Sequence, residues 1–365
     1  NQGYTPIEIY KIRWILYYEK KDYDNSLRDA EEVAKIDPKN STLLMSLGDM
    51  YSTKNMAKEA IDAYEKAELI VPNNGDLQYS IAFNYARLGN TTQQGVVALK
   101  AIQNNTRFLG DAWFLVANSF QIAKKNNEAI DAYERAISAK PTLIDAYNNL
   151  ALVFQTFNRI DDAIAILKKG ADANPNDGGL YINLTWFFIL ADRSIEAIGA
   201  GKKAISLAPD QFMGHTNLCR AYNAVSEYET AIQICNNALK LKPNDGETNL
   251  YLARSYDGLK KTDIATSHYK KAVAGLVEHT QNNPGDADGF NLLGNAYVGT
   301  NQIQLAIDAY KKCLELNPKT VRAIYNLGYM YVSKGDKASA RLLYNELIKL
   351  DTKLAARLLE DIQGK

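Results

Sequence analysis

Few residues in this chain could do chemistry on their own. There are three histidines (His215, His268, His279) and three cysteines (Cys219, Cys235, Cys313). Zinc sites gather three or four such ligands at short, characteristic spacings, and these six do not fall that way. So few cysteines, and an odd number, make no disulfide framework. Two of them, Cys219 and Cys313, are expected to act as compact core hydrophobes. Gly199-Ala200-Gly201 is the nearest approach to a phosphate loop, but it lies inside a stretch that reads as helix, in the wrong context. The carboxylates are scattered along helix surfaces, where solvation is their ordinary role. No catalytic residue, metal site or cofactor is expected, and the chain reads as a non-enzyme.

Binding is then the chemistry left to consider. The 365 residues are 46% hydrophobic and 23% charged, an ordinary soluble balance. With 42 basic and 42 acidic residues the net charge is zero, which argues against nucleic acid as a partner. No apolar run is long enough to span a membrane. Asn1 in place of Met leads to the expectation of a processed or truncated chain, so cytoplasmic and extracytoplasmic locations both stay open.

The elements that position any binding residue repeat with a period. Pro38 and Pro72 lie 34 residues apart, as do Pro141, Pro175, Pro209 and Pro243 in turn, and Pro284 and Pro318. Tyr17, Tyr51, Tyr85, Phe120, Phe154, Phe188, Tyr222, Tyr256, Tyr297 and Tyr331 are spaced by 34 except for one step of 35 and one of 41. Each unit carries two stripes of helical period parted by a polar turn, and proline stops the second. In residues 144–177 the stripes are Tyr147, Leu150, Ala151, Phe154 and then Ala163, Ile166, Leu167, Gly170.

This pattern resembles the tetratricopeptide repeat. Residues Trp113, Val116, Ala117, Phe120, Ala129, Tyr133, Ala136 and Pro141 match its signature. So do Leu44, Leu47, Gly48, Tyr51, Ala60, Tyr64, Ala67 and Pro72. The resemblance covers roughly residues 7–352 and implies an all-α fold, a right-handed α-solenoid of about ten helix–turn–helix repeats with a C-terminal capping helix. Residues 1–40 read as a degenerate N-terminal capping repeat. Residues 41–286 and 287–352 read as repeats of one continuous solenoid, and 353–365 as the cap. The 35-residue step is expected to hide its extra residue near Gln93–Gly95. The 41-residue step is expected to lengthen a helix near 262–283 by two turns, about 10 Å. Cys219 and Cys313 fall at small-residue packing positions.

The resemblance also implies that first helices line a concave groove that holds a peptide or protein segment. Asn149, Asn183 and Asn217 then stack at 34-residue spacing, similar to the asparagine ladder of O-linked N-acetylglucosamine transferase repeats. An amide both donates and accepts, so such a ladder could hold a peptide backbone. Asparagine is also common there in generic repeats, and both readings stand. Phe114, Leu152, Ile182 and Trp186 would offer apolar contacts, and Arg220 and Arg254 cations. Trp186 has a second reading as core, since Gly199 and Gly201 could make room for it beside Phe187 and Phe188. A carboxylate clamp is disfavoured, because Met45, Phe114, Asn148, Ile182, Thr216 and Asn291 stand where that clamp has lysine. The expected function is a protein-interaction scaffold holding a segment with apolar anchors followed by acidic residues. A self-assembling array (a homo-oligomer or filament) or the recruiting part of a larger enzyme or membrane complex are the alternatives.

Overall fold

The structure, a computed structural model, describes residues 6–364. Those residues form twenty-one α-helices and no strand. They fall into two compact units, divided between Pro175 and Asn176. Unit 1 holds α1 (Pro6–Glu19), α2 (Tyr23–Ile36), α3 (Ser41–Thr53), α4 (Ala57–Glu68), α5 (Gly75–Arg87), α6 (Thr91–Gln103), α7 (Leu109–Ile122), α8 (Asn126–Ala139), α9 (Ile144–Thr156) and α10 (Ile160–Ala173). Unit 2 holds α11 (Gly178–Leu190), α12 (Ser194–Leu207), α13 (Phe212–Ala224), α14 (Tyr228–Leu241), α15 (Gly246–Gly258), α16 (Thr262–Asn282), α17 (Ala287–Gly299), α18 (Ile303–Leu316), α19 (Val321–Ser333), α20 (Lys337–Leu347) and α21 (Thr352–Gln363). The helices pair as ten hairpins, with α21 left over.

Each hairpin turns in the same way. One residue adopts the left-handed conformation: Lys21, Asn55, Gly89, Lys124, Asn158, Asp192, Ser226, Lys260, Asn301 and Gly335, with φ between 55° and 80°. The next residue's N–H returns to a carbonyl five positions back, as in Met56 to Tyr51 at 2.9 Å, Arg159 to Phe154 at 2.9 Å and Glu227 to Tyr222 at 3.0 Å. This is the Schellman closure of a helix end. Its acceptors are the aromatic residues that mark the period in the sequence. The proline marks the other joint. Pro38, Pro72, Pro175 and Pro243 are each followed two residues on by Asn40, Asn74, Asp177 or Asp245, whose side chain caps the next helix.

Within a hairpin, the small residue of the first helix faces a residue sixteen positions later on the second. A Cβ at Gly48 would lie 2.3 Å from the Tyr64 ring, and one at Gly294 would lie 2.4 Å from Tyr310. Ala117 pairs with Tyr133 and Ala151 with Leu167 by the same spacing, all four buried. In α11 and α12 the sizes invert, and Gly201 leaves room for Leu218 of α13 and for Thr185. In α13 and α14 both partners are cysteine, and Cys219 and Cys235 form a disulfide with Cα atoms 5.4 Å apart. This corrects the expectation that Cys219 only packs. Cys313 does stay free and buried.

Two irregular steps show their geometry. α6 keeps the register of α4, with Gln94, Ala98 and Ala101 buried where Ala60, Tyr64 and Ala67 stand one repeat earlier. The extra residue therefore lies after α6, in the loop 104–108, and not near Gln93–Gly95. Asn105 there has φ 57°, outside the set of hairpin turns. The wider step is taken up inside α16, whose 21 residues exceed the 14 of α14 by seven. Leu276 and Thr280 bury the added turns.

Candidate functional site

In unit 2, consecutive first helices touch one another: α11 with α13, α13 with α15, and α15 with α17. No contact of similar extent joins consecutive second helices. First helices therefore line the inner side of the unit's curvature, and their exposed residues form its inner face.

The centre of that face is a cluster around Arg220. Its guanidinium lies 4.8 Å from the Trp186 ring centre and 5.3 Å from that of Tyr251. Arg254 lies over the other side of the cluster, 5.6 Å from the Tyr251 ring, and is exposed. Trp186 itself is half-buried. Arg220 Nη1 approaches Glu247 Oε1 at 3.8 Å, too far for a hydrogen bond, and both atoms are sealed from solvent without a hydrogen-bond partner. Glu247 keeps about a quarter of its side chain open (26%), while its Oε1 is sealed from solvent. Burial pushes that carboxyl up to about 7, against the pull of Arg220 and with help from Asp245, Asp288 and Asp286. Burial, then Asp286, also raises Asp288.

Arg322, at the start of α19, reaches back across the inner face. Its Nη2 donates to the Ile189 carbonyl at 3.0 Å and to Asp192 at 3.1 Å, at the α11–α12 turn. Burial, then the neighbouring Arg220, lowers its pKa from the ordinary arginine value.

The asparagine positions divide. Asn217 is buried and donates to the Ile182 carbonyl at 3.3 Å, so its amide N–H joins α13 to α11. Ile182 is buried too, at 8% exposure. Asn183 is half-buried on α11. In unit 1, Asn149 donates to Asn118 Oδ1 at 3.1 Å, and the same oxygen accepts from the Tyr133 hydroxyl. Asn326 repeats this arrangement in unit 2 with Asn295 and Tyr310. Leu152 is 48% exposed, and Phe114 is half-buried with its ring 6.0 Å from that of Tyr133.

Comparisons with known proteins agree with the hairpin geometry. A model described as TPR repeat matches residues 118–156 and 294–335, and one described as tetratricopeptide repeat matches 41–74, 144–177 and 321–354. The chain belongs to the tetratricopeptide-repeat family. A solved tetratricopeptide repeat protein from Parabacteroides merdae is 12% identical, covers 70% of this chain and 98% of its own, and has a TM-score of 0.50. That likeness shows the shared fold. Yeast Tom70 is 13% identical over 98% of this chain and 95% of its own, with a TM-score of 0.44. MamA is 24% identical over 46% of this chain and 92% of its own, with a TM-score of 0.43. No curated protein sequence matches.

As a tetratricopeptide-repeat protein the chain is a protein-interaction scaffold, and repeats of this family are generally non-catalytic. No helix among the described residues is long and apolar enough to cross a membrane. Two members of the inner cluster, Glu247 and Arg322, were missed by the sequence reading. They share a column with Asp288: each is the second residue of its first helix, in Gly246-Glu247, Ala287-Asp288 and Val321-Arg322. Three charged residues at one repeat position are the signal that could have found them.

Proposed function

We propose that the inner face of unit 2 binds an extended segment of a partner protein. The observation that carries this reading is the half-open Trp186 ring beside Arg220, with Arg254 exposed further along the same face. Tryptophan and arginine are the residue types most enriched at binding hot spots. An apolar side chain of the partner would rest on Trp186, and an acidic one would meet Arg254. Asn183 lies on the same helix as Trp186 and would hold backbone. Arg220 acts from behind, keeping the Trp186 and Tyr251 rings in place. Buried Ile182 and Asn217 support the wall rather than the ligand. Phe114, Asn149 and Leu152 offer a separate surface on unit 1.

Selection from a random nonapeptide display library tests this. Enriched peptides should carry an aromatic or aliphatic residue followed by Asp or Glu. Trp186→Ala should weaken the best of them at least about tenfold, the loss expected of a hot-spot aromatic. Arg254→Glu should weaken acidic peptides selectively. Selected peptides whose affinity is untouched by both changes would place binding elsewhere.

A further inference from the structure

The position that follows the small residue of each first helix looks into the groove. Asp49, Phe83, Leu152, Arg254 and Tyr329 are exposed there, and Asn118, Trp186 and Asn295 are half-buried. Arg220 holds the same position in α13 and is only 9% exposed. The Trp186 and Tyr251 rings take its flanks. A side chain from a distant repeat adds to this cover. Arg322 crosses the inner face, close enough to Arg220 for the two positive charges to oppose each other.

That crossing is a side-chain bridge and not helix packing. Hydrogen bonds between neighbouring repeats join residues about one period apart, as with Asn217 and Ile182 at a separation of 35. Arg322 reaches Ile189 and Asp192, which lie 133 and 130 positions away. Helices α11 and α19 do not pack together as α11 and α13 do. The bridge ends on the C-terminus of α11, where the last carbonyls and the helix dipole favour a cation.

Two features make the bridge easy to release. The Asp192 side chain is 74% exposed, and an ion pair so open to water contributes little. The closed arrangement also leaves Arg220 Nη1 and Glu247 Oε1 sealed without hydrogen-bond partners, a cost that opening removes.

We propose that Arg322 is a clasp that closes the inner face of unit 2 over Arg220, and that an acidic partner segment opens it by taking Arg322 from Asp192. This regulation rests on the reading that the face binds such a segment. The Ile189 carbonyl and the Asp192 carboxylate offer Arg322 what a peptide offers, a backbone oxygen and an acidic side chain. A partner carrying both competes for the same donors. While the clasp is shut, only the open fraction of molecules can bind, and the apparent affinity falls by that fraction.

Asp192→Gly releases one end of the clasp and suits a backbone held at φ 55°. Phenylglyoxal modifies accessible guanidinium groups, and peptide mapping by mass spectrometry reads Arg220 apart from the other arginines. Acidic peptides selected on the wild-type chain supply the second readout. Both depend on the open fraction, so labelling rate and affinity should rise together in Asp192→Gly, each by about three- to tenfold. Arg322→Ala should raise the labelling as well, from the other end of the clasp and with the turn intact. Arg220 labelled at the wild-type rate in either variant overturns the clasp and leaves peptide binding standing. Faster labelling with unchanged or weaker peptide affinity in Asp192→Gly overturns the gate. Peptides indifferent to both Trp186→Ala and Arg254→Glu refute the binding reading itself, and the gate with it.

Discussion

Gly48 and Tyr64 show how one side chain here depends on another sixteen positions away. Because a Cβ at Gly48 would collide with the ring, Gly48→Ala should cost about 1–3 kcal/mol in urea unfolding. Adding Tyr64→Leu should recover part of that loss, since Ala151 with Leu167 is the same combination elsewhere in the chain. The cysteines occupy this same pair of columns. The small-residue column was legible in the sequence, and it placed Cys219 correctly. Its partner column was not read across to Cys235, because a lone spacing of sixteen says nothing until two helices are known to face each other there. Thiol titration of the denatured, unreduced protein should count one free thiol, Cys313, and not three. Cys219→Ala with Cys235→Ala should lower stability by about 3 kcal/mol, the size expected for a loop of this length.

Helices and turns were the most legible elements, because their signals repeat. The aromatic column marks the residue whose carbonyl closes each first helix, and the Pro-x-Asn or Pro-x-Asp run marks the cap of the next. The 21-residue α16 announces itself as a step of 41 in that column. A single added residue in the step of 35 was harder to locate. Gln94 and Gly95 are both buried, so either could hold the small-residue position, and only the register of Ala98 and Ala101 decides between them. The turns carry a testable cost. Ser226 sits at φ 62°, a conformation that penalises a side chain by about 1–2 kcal/mol. Glycine there loses part of this gain to chain entropy. Ser226→Gly should therefore raise the melting temperature of unit 2 modestly, whereas Gly335→Ala, at φ 80°, should lower stability.

The two units divide at Pro175, and unit 2 carries the charged inner face. Its sign of pH dependence follows from Glu247. Folding raises this carboxyl to about 7, above the ordinary glutamate value of about 4.3. The folded state thus holds the proton more tightly than the unfolded chain. Stability should be greatest below the ordinary value, fall by roughly 1–3 kcal/mol as pH rises to about 7, and then level off. The rise in Asp288 acts in the same direction. Urea unfolding from pH 4.5 to 8 checks this, and Glu247→Gln should flatten the fall. Trp186, Arg220 and Arg254 were picked out as candidates because they occupy columns of a recognised repeat, although Arg220, expected to offer a cation to the groove, is buried. Arg322 was not picked out, because its contact joins residues 133 positions apart. That separation has a kinetic consequence. Closing a free loop of this length costs about 4 kcal/mol in chain entropy, more than one partly buried arginine contact returns. The bond can form only after the intervening helices have stacked and brought its ends together. The contact between Arg322 and the Ile189–Asp192 turn is then a mark of completion, late to form on refolding and lost when any repeat between α11 and α19 opens.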